Sequence, residues 1–282
     1  MIIATRLFGK TGPAVTRVGL GGEGVLRTFG REAEAQAVIE EAVRQGIAYF
    51  DSAQAYAGSE GYYGRFWKRH GDLRDGIFQT SKSASRTKAG AKSDLAQTLR
   101  TMNLDRLDLW QIHDVRTRQD IEEIESPGGA LEAFVEARDA GLAGNVGVTG
   151  HHDPHILLHA VENWPVDAVL MPVNPVEAVI GGFLDRVLPA VRDRGLAIIG
   201  MKVLGASHYI SPQTGITPDL LIRFALSKEI TTAIVGCKSP REVQALADAG
   251  RDFQPLTDVE ENRLLKLFRP LAGKLAFYRG IY

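Results

Sequence analysis

Four side chains of this 282-residue chain have the types and spacing for one kind of chemistry: Asp51, Tyr56, Lys82 and His113. Asp51 closes the run Tyr49-Phe50, and Tyr56 follows five residues later in a loop. Lys82 closes a run that begins at Ile77, and His113 closes Leu107–Ile112. A charge buried alone costs on the order of several kcal/mol, so an Asp and a Lys at neighbouring strand ends are expected to pair. Delivering hydride to a carbonyl builds negative charge on oxygen, and a tyrosine beside an ammonium is suited to supply the proton. An unperturbed Tyr has a pKa of about 10, and a neighbouring cation favours its phenolate. Lys82 is expected to provide that charge, Asp51 to keep Lys82 charged and oriented, and His113 to hydrogen-bond the carbonyl oxygen. One Lys or His at a strand end is ordinarily a solvated rim residue. Four such groups from three adjacent strands outweigh that reading.

What must hold them is a regular alternation. Between residues 18 and 240 a short apolar run repeatedly precedes a polar loop and then an amphipathic stretch, the pattern of β-loop-α units. Eight strands are predicted, at 18–20, 49–51, 77–81, 107–112, 145–149, 168–171, 197–202 and 233–236. After the first of them Ala35, Val38, Ile39, Ala42 and Val43 form one apolar stripe, with Glu34, Glu41 and Arg44 outside it. Thr217-Pro218 and Ser239-Pro240 mark the starts of the seventh and eighth helices, each a hydroxyl N-cap followed by Pro. Eight units without a break in composition predict an α/β fold, a single (β/α)8 TIM barrel forming one domain over residues 1–282, rather than a doubly wound sheet. Functional groups of such a barrel lie at the C-terminal strand ends. Ahead of it, residues 5–8 and 14–17 flank Gly9-Lys10-Thr11-Gly12-Pro13, an N-terminal β-hairpin expected to plug the barrel's N-terminal mouth. The aromatic C-terminal tail, with Phe268, Phe277, Tyr278 and Tyr282, is expected to cap the pocket.

Composition narrows the partners. The chain carries 33 Lys and Arg against 34 Asp and Glu, a net charge of −1, and no basic block that would draw nucleic acid or an anionic membrane. No apolar run approaches the roughly 20 residues that span a bilayer. The single cysteine, Cys237, has no partner for an internal disulfide, and MIIATRLFGK is too short and charged for a signal-peptide core. A cytoplasmic location is the expectation.

The segments Phe50-Asp51-Ser52-Ala53-Gln54-Ala55-Tyr56, Thr80-Ser81-Lys82-Ser83 and Gln111-Ile112-His113-Asp114 occur in that order. They are followed by Gly147-Val148-Thr149-Gly150-His151, Asn174-Pro175-Val176-Glu177, Gly200-Met201-Lys202-Val203-Leu204-Gly205 and Val235-Gly236-Cys237-Lys238-Ser239-Pro240. Together these resemble the motifs of the aldo-keto reductases, over nearly the whole chain, and look like a divergent bacterial-type branch. The resemblance implies a (β/α)8 barrel that binds NADP(H) in extended form without a Rossmann domain and reduces small aldehydes or ketones. It implies cofactor contacts from Gly22, Thr149, Gly150, Asn174, Met201, Lys202, Leu204, Gly205 and Gly236. At the start of the eighth helix it implies a 2′-phosphate site at Lys238, Ser239 and Arg241. Glu242 pulls the other way, toward the ribose hydroxyl of NAD(H). On balance NADPH is expected to be preferred, with NAD(H) the alternative. Several positions depart from the family pattern: Thr149-Gly150 replaces Ser-Asn, Pro175 replaces a Gln, Met201 replaces a stacking aromatic, and Leu246 replaces an Asn.

Other signals point elsewhere. Gly19-Leu20-Gly21-Gly22-Glu23-Gly24 matches the dinucleotide fingerprint GxGxxG, but residues 25–30 intervene before any helical pattern, where a true fingerprint opens directly into a helix. His151, His152, His155 and His159 have spacings suited to metal ligation, which makes a metal-dependent barrel hydrolase the alternative enzyme class. Against it, the first strand lacks His-x-His and the eighth lacks a carboxylate, so no metal is expected. A non-enzymatic, nicotinamide-binding redox-responsive subunit is a third reading. The charged stretch from Arg116 to Glu125 reads as a solvated excursion walling the substrate cleft, and Cys237 as a small buried residue.

Overall fold

Eight parallel strands close on themselves in the computed structural model, which describes residues 2–280. Two short strands precede them, β1 (Thr5–Leu7) and β2 (Ala14–Thr16). The barrel is built of β3 (Val18–Gly24), β4 (Tyr49–Phe50), β5 (Phe78–Ser83), β6 (Leu107–Ile112), β7 (Ala143–Thr149), β8 (Ala168–Pro172), β9 (Ala197–Met201) and β10 (Thr232–Cys237). Each strand pairs with the next, and β10 returns to pair with β3, as the alternation of apolar runs and amphipathic stretches predicts. Residues two apart share a face of a strand, so one set fills the barrel and the other meets the helices. Tyr49, Phe78, Leu109, Ala168, Leu170, Ala197 and Ile199 pack together in the interior.

The helices are α1 (Glu32–Arg44), α2 (Ser59–Arg69), α3 (Lys88–Met102), α4 (Arg118–Glu125), α5 (Ala130–Asp139) and α6 (Pro154–Asn163). After them come α7 (Pro175–Ile180), α8 (Leu188–Arg194), α9 (Pro218–Ser227), α10 (Pro240–Arg251), α11 (Asp258–Phe268) and α12 (Ala272–Leu275). In α1 Ala35, Val38, Ile39 and Ala42 are buried and Val43 is half-buried, the expected stripe. Thr217 and Ser239 cap α9 and α10 through their side chains, with Pro218 and Pro240 opening the helices.

The hairpin of β1 and β2 closes the N-terminal end of the barrel. Phe8 and Val15 join the interior cluster, and the rings of Phe8 and Phe78 lie 4.5 Å apart. The first barrel strand runs four residues beyond its predicted end at Leu20, because its glycines permit a close approach to β10. A Cβ on Gly24, whose φ is +72°, would sit 2.4 Å from the Cys237 carbonyl oxygen. Gly24 then leads into a 3-10 turn, Val25–Arg27, and α1 starts only at Glu32, so this GxGxxG opens no helix.

One stretch differs from expectation. Residues 118–125 are helix rather than open excursion: Thr117 and Asp120 form a reciprocal capping box, and Ile121 and Ile124 bury one face. The tail lies across the loop after β8. Tyr278 is buried there, while Phe268 packs edge-on against Tyr209, 5.5 Å between centroids, and Phe277 is half exposed. Tyr282 lies outside the described residues.

Candidate active site

Asp51 directly follows β4, Lys82 lies within β5, and His113 directly follows β6, so neighbouring strand pairing brings all three to the C-terminal end of the barrel. The side chains of Lys82 and Asp51 are 0% and 1% exposed. Lys82 Nζ donates to Asp51 Oδ1 at 2.8 Å, to Asp51 Oδ2 at 2.7 Å and to the Ser52 carbonyl at 2.7 Å. An ammonium has three protons, and these contacts use them all. Thr80 Oγ1 also donates to Asp51 Oδ1, at 3.0 Å. Burial pushes the Lys82 pKa down, and Asp51 pulls it back up.

Tyr56 comes from the loop between β4 and α2. Lys82 Nζ lies 4.7 Å from its ring centroid, and the His113 ring meets it edge-on at 5.5 Å. The contact with Lys82 is thus charge over a ring face, with no ammonium proton left for the phenol oxygen. The sequence reading has Lys82 lowering the Tyr56 pKa. In the structure burial outweighs this and pushes the phenol well above its ordinary value, with Asp51 and Glu23 adding to the shift and Arg27 opposing it. Burial, and Lys82 nearby, push His113 down to about 3, so its imidazole is neutral and has one ring N–H to donate.

A cavity of about 330 Å³ opens beside Asp51 and Tyr56. Its wall includes Gly22, Met201, Lys202, Leu204, Gly205, Gly236 and Lys238 from the predicted cofactor set, drawn from β3, β9, β10 and the loops after them. A Cβ on Gly22 would stand 2.7 Å from the Tyr56 ring, so the glycine keeps backbone flush against the tyrosine. Lys202, at a φ of +56°, directly follows β9. Glu23 on β3 and Val203, Ala206 and Ser207 after β9 also line the wall; the last three are neutral loop residues that offered no signal in the sequence.

The remaining predicted cofactor residues do not line this cavity. Thr149 Oγ1 accepts from the Asp114 backbone N–H at 2.7 Å, and Gly150 packs under Val115 and Leu157. Asn174 is fully buried: Oδ1 accepts from the Glu177 backbone N–H, and Nδ2 donates to the Lys202 carbonyl and to Tyr278 Oη. Its amide holds a helix start and the tail. Arg241 and Glu242 are exposed on the first turn of α10, beside the cap Ser239, and Glu242 Oε2 accepts from the Lys238 backbone N–H at 2.7 Å.

The tail makes a second buried ion pair. Arg279 donates to both carboxylate oxygens of Glu177, and Tyr278 Oη donates to Glu177 Oε1 at 2.6 Å. His151, after β7, reaches the Tyr278 carbonyl through Nδ1 at 3.1 Å and Asp114 Oδ1 through Nε2 at 3.2 Å. His159 instead pairs with Glu125 across α4 and α6 at 2.7 Å. Among the described residues no three His, Cys, Asp or Glu side chains converge to hold a metal. Cys237 is buried, and burial pushes its thiol up to about 12. No helix among the described residues is long and apolar enough to cross a membrane.

The chain is 25% identical to L-galactose dehydrogenase of Arabidopsis thaliana over 92% of its length and 93% of that protein. It is 26% identical to pyridoxal 4-dehydrogenase of Microbacterium luteolum, over 74% of this chain and 73% of that one. Among solved structures, an aldo-keto reductase of Bacillus halodurans in its holo form superposes with a TM-score of 0.77 at 19% identity, over 94% of this chain and 96% of that one. An aldo-keto reductase of Klebsiella pneumoniae in complex with NADP and acetate gives 0.75 at 20% identity, over 95% and 96%. The sequence pattern of the Aldo/keto reductase family matches residues 17–214, and this chain belongs to that family.

Proposed function

We propose that this protein is an NADPH-dependent carbonyl reductase of small aldehydes or ketones, with Tyr56 as the proton donor. The observation that carries this reading is the Lys82–Asp51 pair, sealed beneath a tyrosine that fronts a glycine-walled cavity. A structural ion pair has no need of a phenol above it or of a flush backbone wall beside it. The wall suits a dinucleotide: the Met201 thioether offers a polarizable face and Lys202 and Lys238 supply cations for phosphates, while Gly22, Gly205 and Gly236 keep the wall drawn in against Tyr56, Tyr209 and Glu23. The related Klebsiella pneumoniae structure holds NADP, which supports the same choice here. When bound, the cofactor supplies the hydride.

The chain's own residues do the rest. Tyr56 gives its proton to the carbonyl oxygen as negative charge builds there, and Lys82 stabilises the phenolate left behind through space. Asp51 keeps the ammonium charged and fixed. Neutral His113 donates an N–H to the same oxygen and sets the substrate's angle. Turnover of a simple aldehyde with NADPH, read as loss of reduced-nicotinamide absorbance, tests the reading. Tyr56→Phe is expected to bind NADPH as wild type does and to lose about 10²- to 10⁴-fold in kcat/KM. NADPH binding without turnover of any aldehyde or ketone would instead support the non-enzymatic subunit.

A further inference from the structure

Glu23 and Arg27 have no part in the steps above, yet Arg27 sits over the tyrosine ring and Glu23 places its charge nearby. Arg27 ends the 3-10 turn after β3 and donates through Nη1 to Glu23 Oε1 at 2.7 Å. Its guanidinium carbon lies 5.0 Å from the Tyr56 ring centroid, much as Lys82 Nζ does at 4.7 Å. Tyr56 therefore carries two cations on its ring, and they differ in kind. Lys82 is sealed and its protons are committed; the Arg27 side chain is 47% exposed and is held by a carboxylate that is itself 46% exposed.

We infer that Arg27 is a positioning residue for Tyr56: held over the ring by Glu23, it lends the phenolate a second positive charge, and the Glu23–Arg27 pair sets how readily Tyr56 exchanges its proton. This inference rests on Tyr56 being the proton donor. A cation over a phenol is drawn to the electron-rich ring face, and more strongly once the ring bears a full negative charge. Glu23 acts in two senses, since it fixes Arg27 and also places a negative charge near the phenol. The other groups facing Tyr56 are Asp51 after β4, Lys82 on β5, and His113 and Asp114 after β6. Asp51, Glu23 and Asp114 oppose the phenolate, and Arg27 favours it. Removing Arg27, and removing the charge of Glu23 while a Gln amide oxygen still accepts from Arg27, are therefore expected to act with opposite sign, which loss of a merely structural salt bridge would not do.

Alcohol oxidation by the holoenzyme at saturating NADP+ reads this directly, because that direction needs the phenolate. The profile of kcat/KM against pH is measured for wild type, Arg27→Met, Glu23→Gln and Arg27→Lys, with near-UV circular dichroism and NADP+ affinity confirming that each variant is folded. On the rising limb Arg27→Met is expected to lower kcat/KM about threefold and Glu23→Gln to raise it by a similar factor, a displacement of roughly half a pH unit each way. Arg27→Lys, which keeps the charge, is expected to stay near wild type. Rates that fall in both Arg27→Met and Glu23→Gln, or profiles that do not move, would overturn the inference. Its failure is separable from that of the underlying reading, since a Tyr56→Phe enzyme that still turned over would remove the proton donor itself.

Discussion

Asp51 and Lys82 are worth more to each other than to the rest of the barrel. Neither reaches solvent, so removing one leaves the other as an uncompensated buried charge. Lys82→Met is expected to cost about 3–5 kcal/mol in urea unfolding, while Lys82→Met combined with Asp51→Asn costs less than the sum of the two single changes. An additive double mutant would show that the pair is not coupled. His113 adds a pH dependence with a definite sign. Its folded-state pKa of about 3 lies below the ordinary 6.5, so between these values the unfolded chain binds the extra proton. Stability from this residue is complete above pH 6.5 and is lost as pH falls toward 3; unfolding midpoints of His113→Gln are expected to flatten over that window relative to wild type. Asp51, Lys82 and His113 were legible in the sequence because each interrupts an apolar run at a strand end, and Tyr56 because it follows Asp51 in the loop. Arg27 was not, since its relation to Tyr56 depends on how one 3-10 turn folds back over the site, and no periodicity encodes that.

At the level of elements, caps and loop chemistry decide what each strand end offers. The N-terminus of α10 has free backbone N–H groups that favour an anion, yet Glu242 already accepts from the Lys238 N–H there. A 2′-phosphate bound there would have to displace that carboxylate or share the position with it. Glu242→Gln is accordingly expected to raise the preference for NADPH over NADH by about twofold to fivefold in kcat/KM, in keeping with about 0.3–1 kcal/mol for one charge at a helix end. An unchanged ratio would place the phosphate elsewhere. The tail's aromatics are apolar enough to need cover, and what anchors them is the Glu177–Arg279 pair; composition alone does not reveal which buried carboxylate an arginine will find. Arg279→Met is thus expected to destabilise the fold by about 3–5 kcal/mol while leaving the KM for small aldehydes nearly unchanged. Barrel strands and helix starts were legible because period and N-caps are local. The helix at 118–125 was not, since its charged surface hides a two-residue apolar face and a capping box built on Asp rather than Glu.

For the molecule as a whole, we propose that plug, barrel and tail unfold as one domain, and a single thermal transition by both calorimetry and circular dichroism is the expected result. Phe8→Ala, which hollows the cluster at the N-terminal mouth, is expected to lower stability by about 3–5 kcal/mol without altering turnover, because the site lies at the other end. One further property follows from where the ring closes. The cavity wall is drawn in large part from β3 and β10, the first and last barrel strands, whose pairing joins opposite ends of the barrel sequence. Such a pairing is among the slowest to form, and until it forms both strands present open edges. A dinucleotide lying across it would act as a removable staple on the latest-made joint, worth about 2.7 kcal/mol at a hundredfold excess over its Kd. Limited proteolysis is expected to cut near residues 24–31 and 237–239 much faster without NADP+ than with it. The lifetime of the protein would then follow the supply of its own coenzyme.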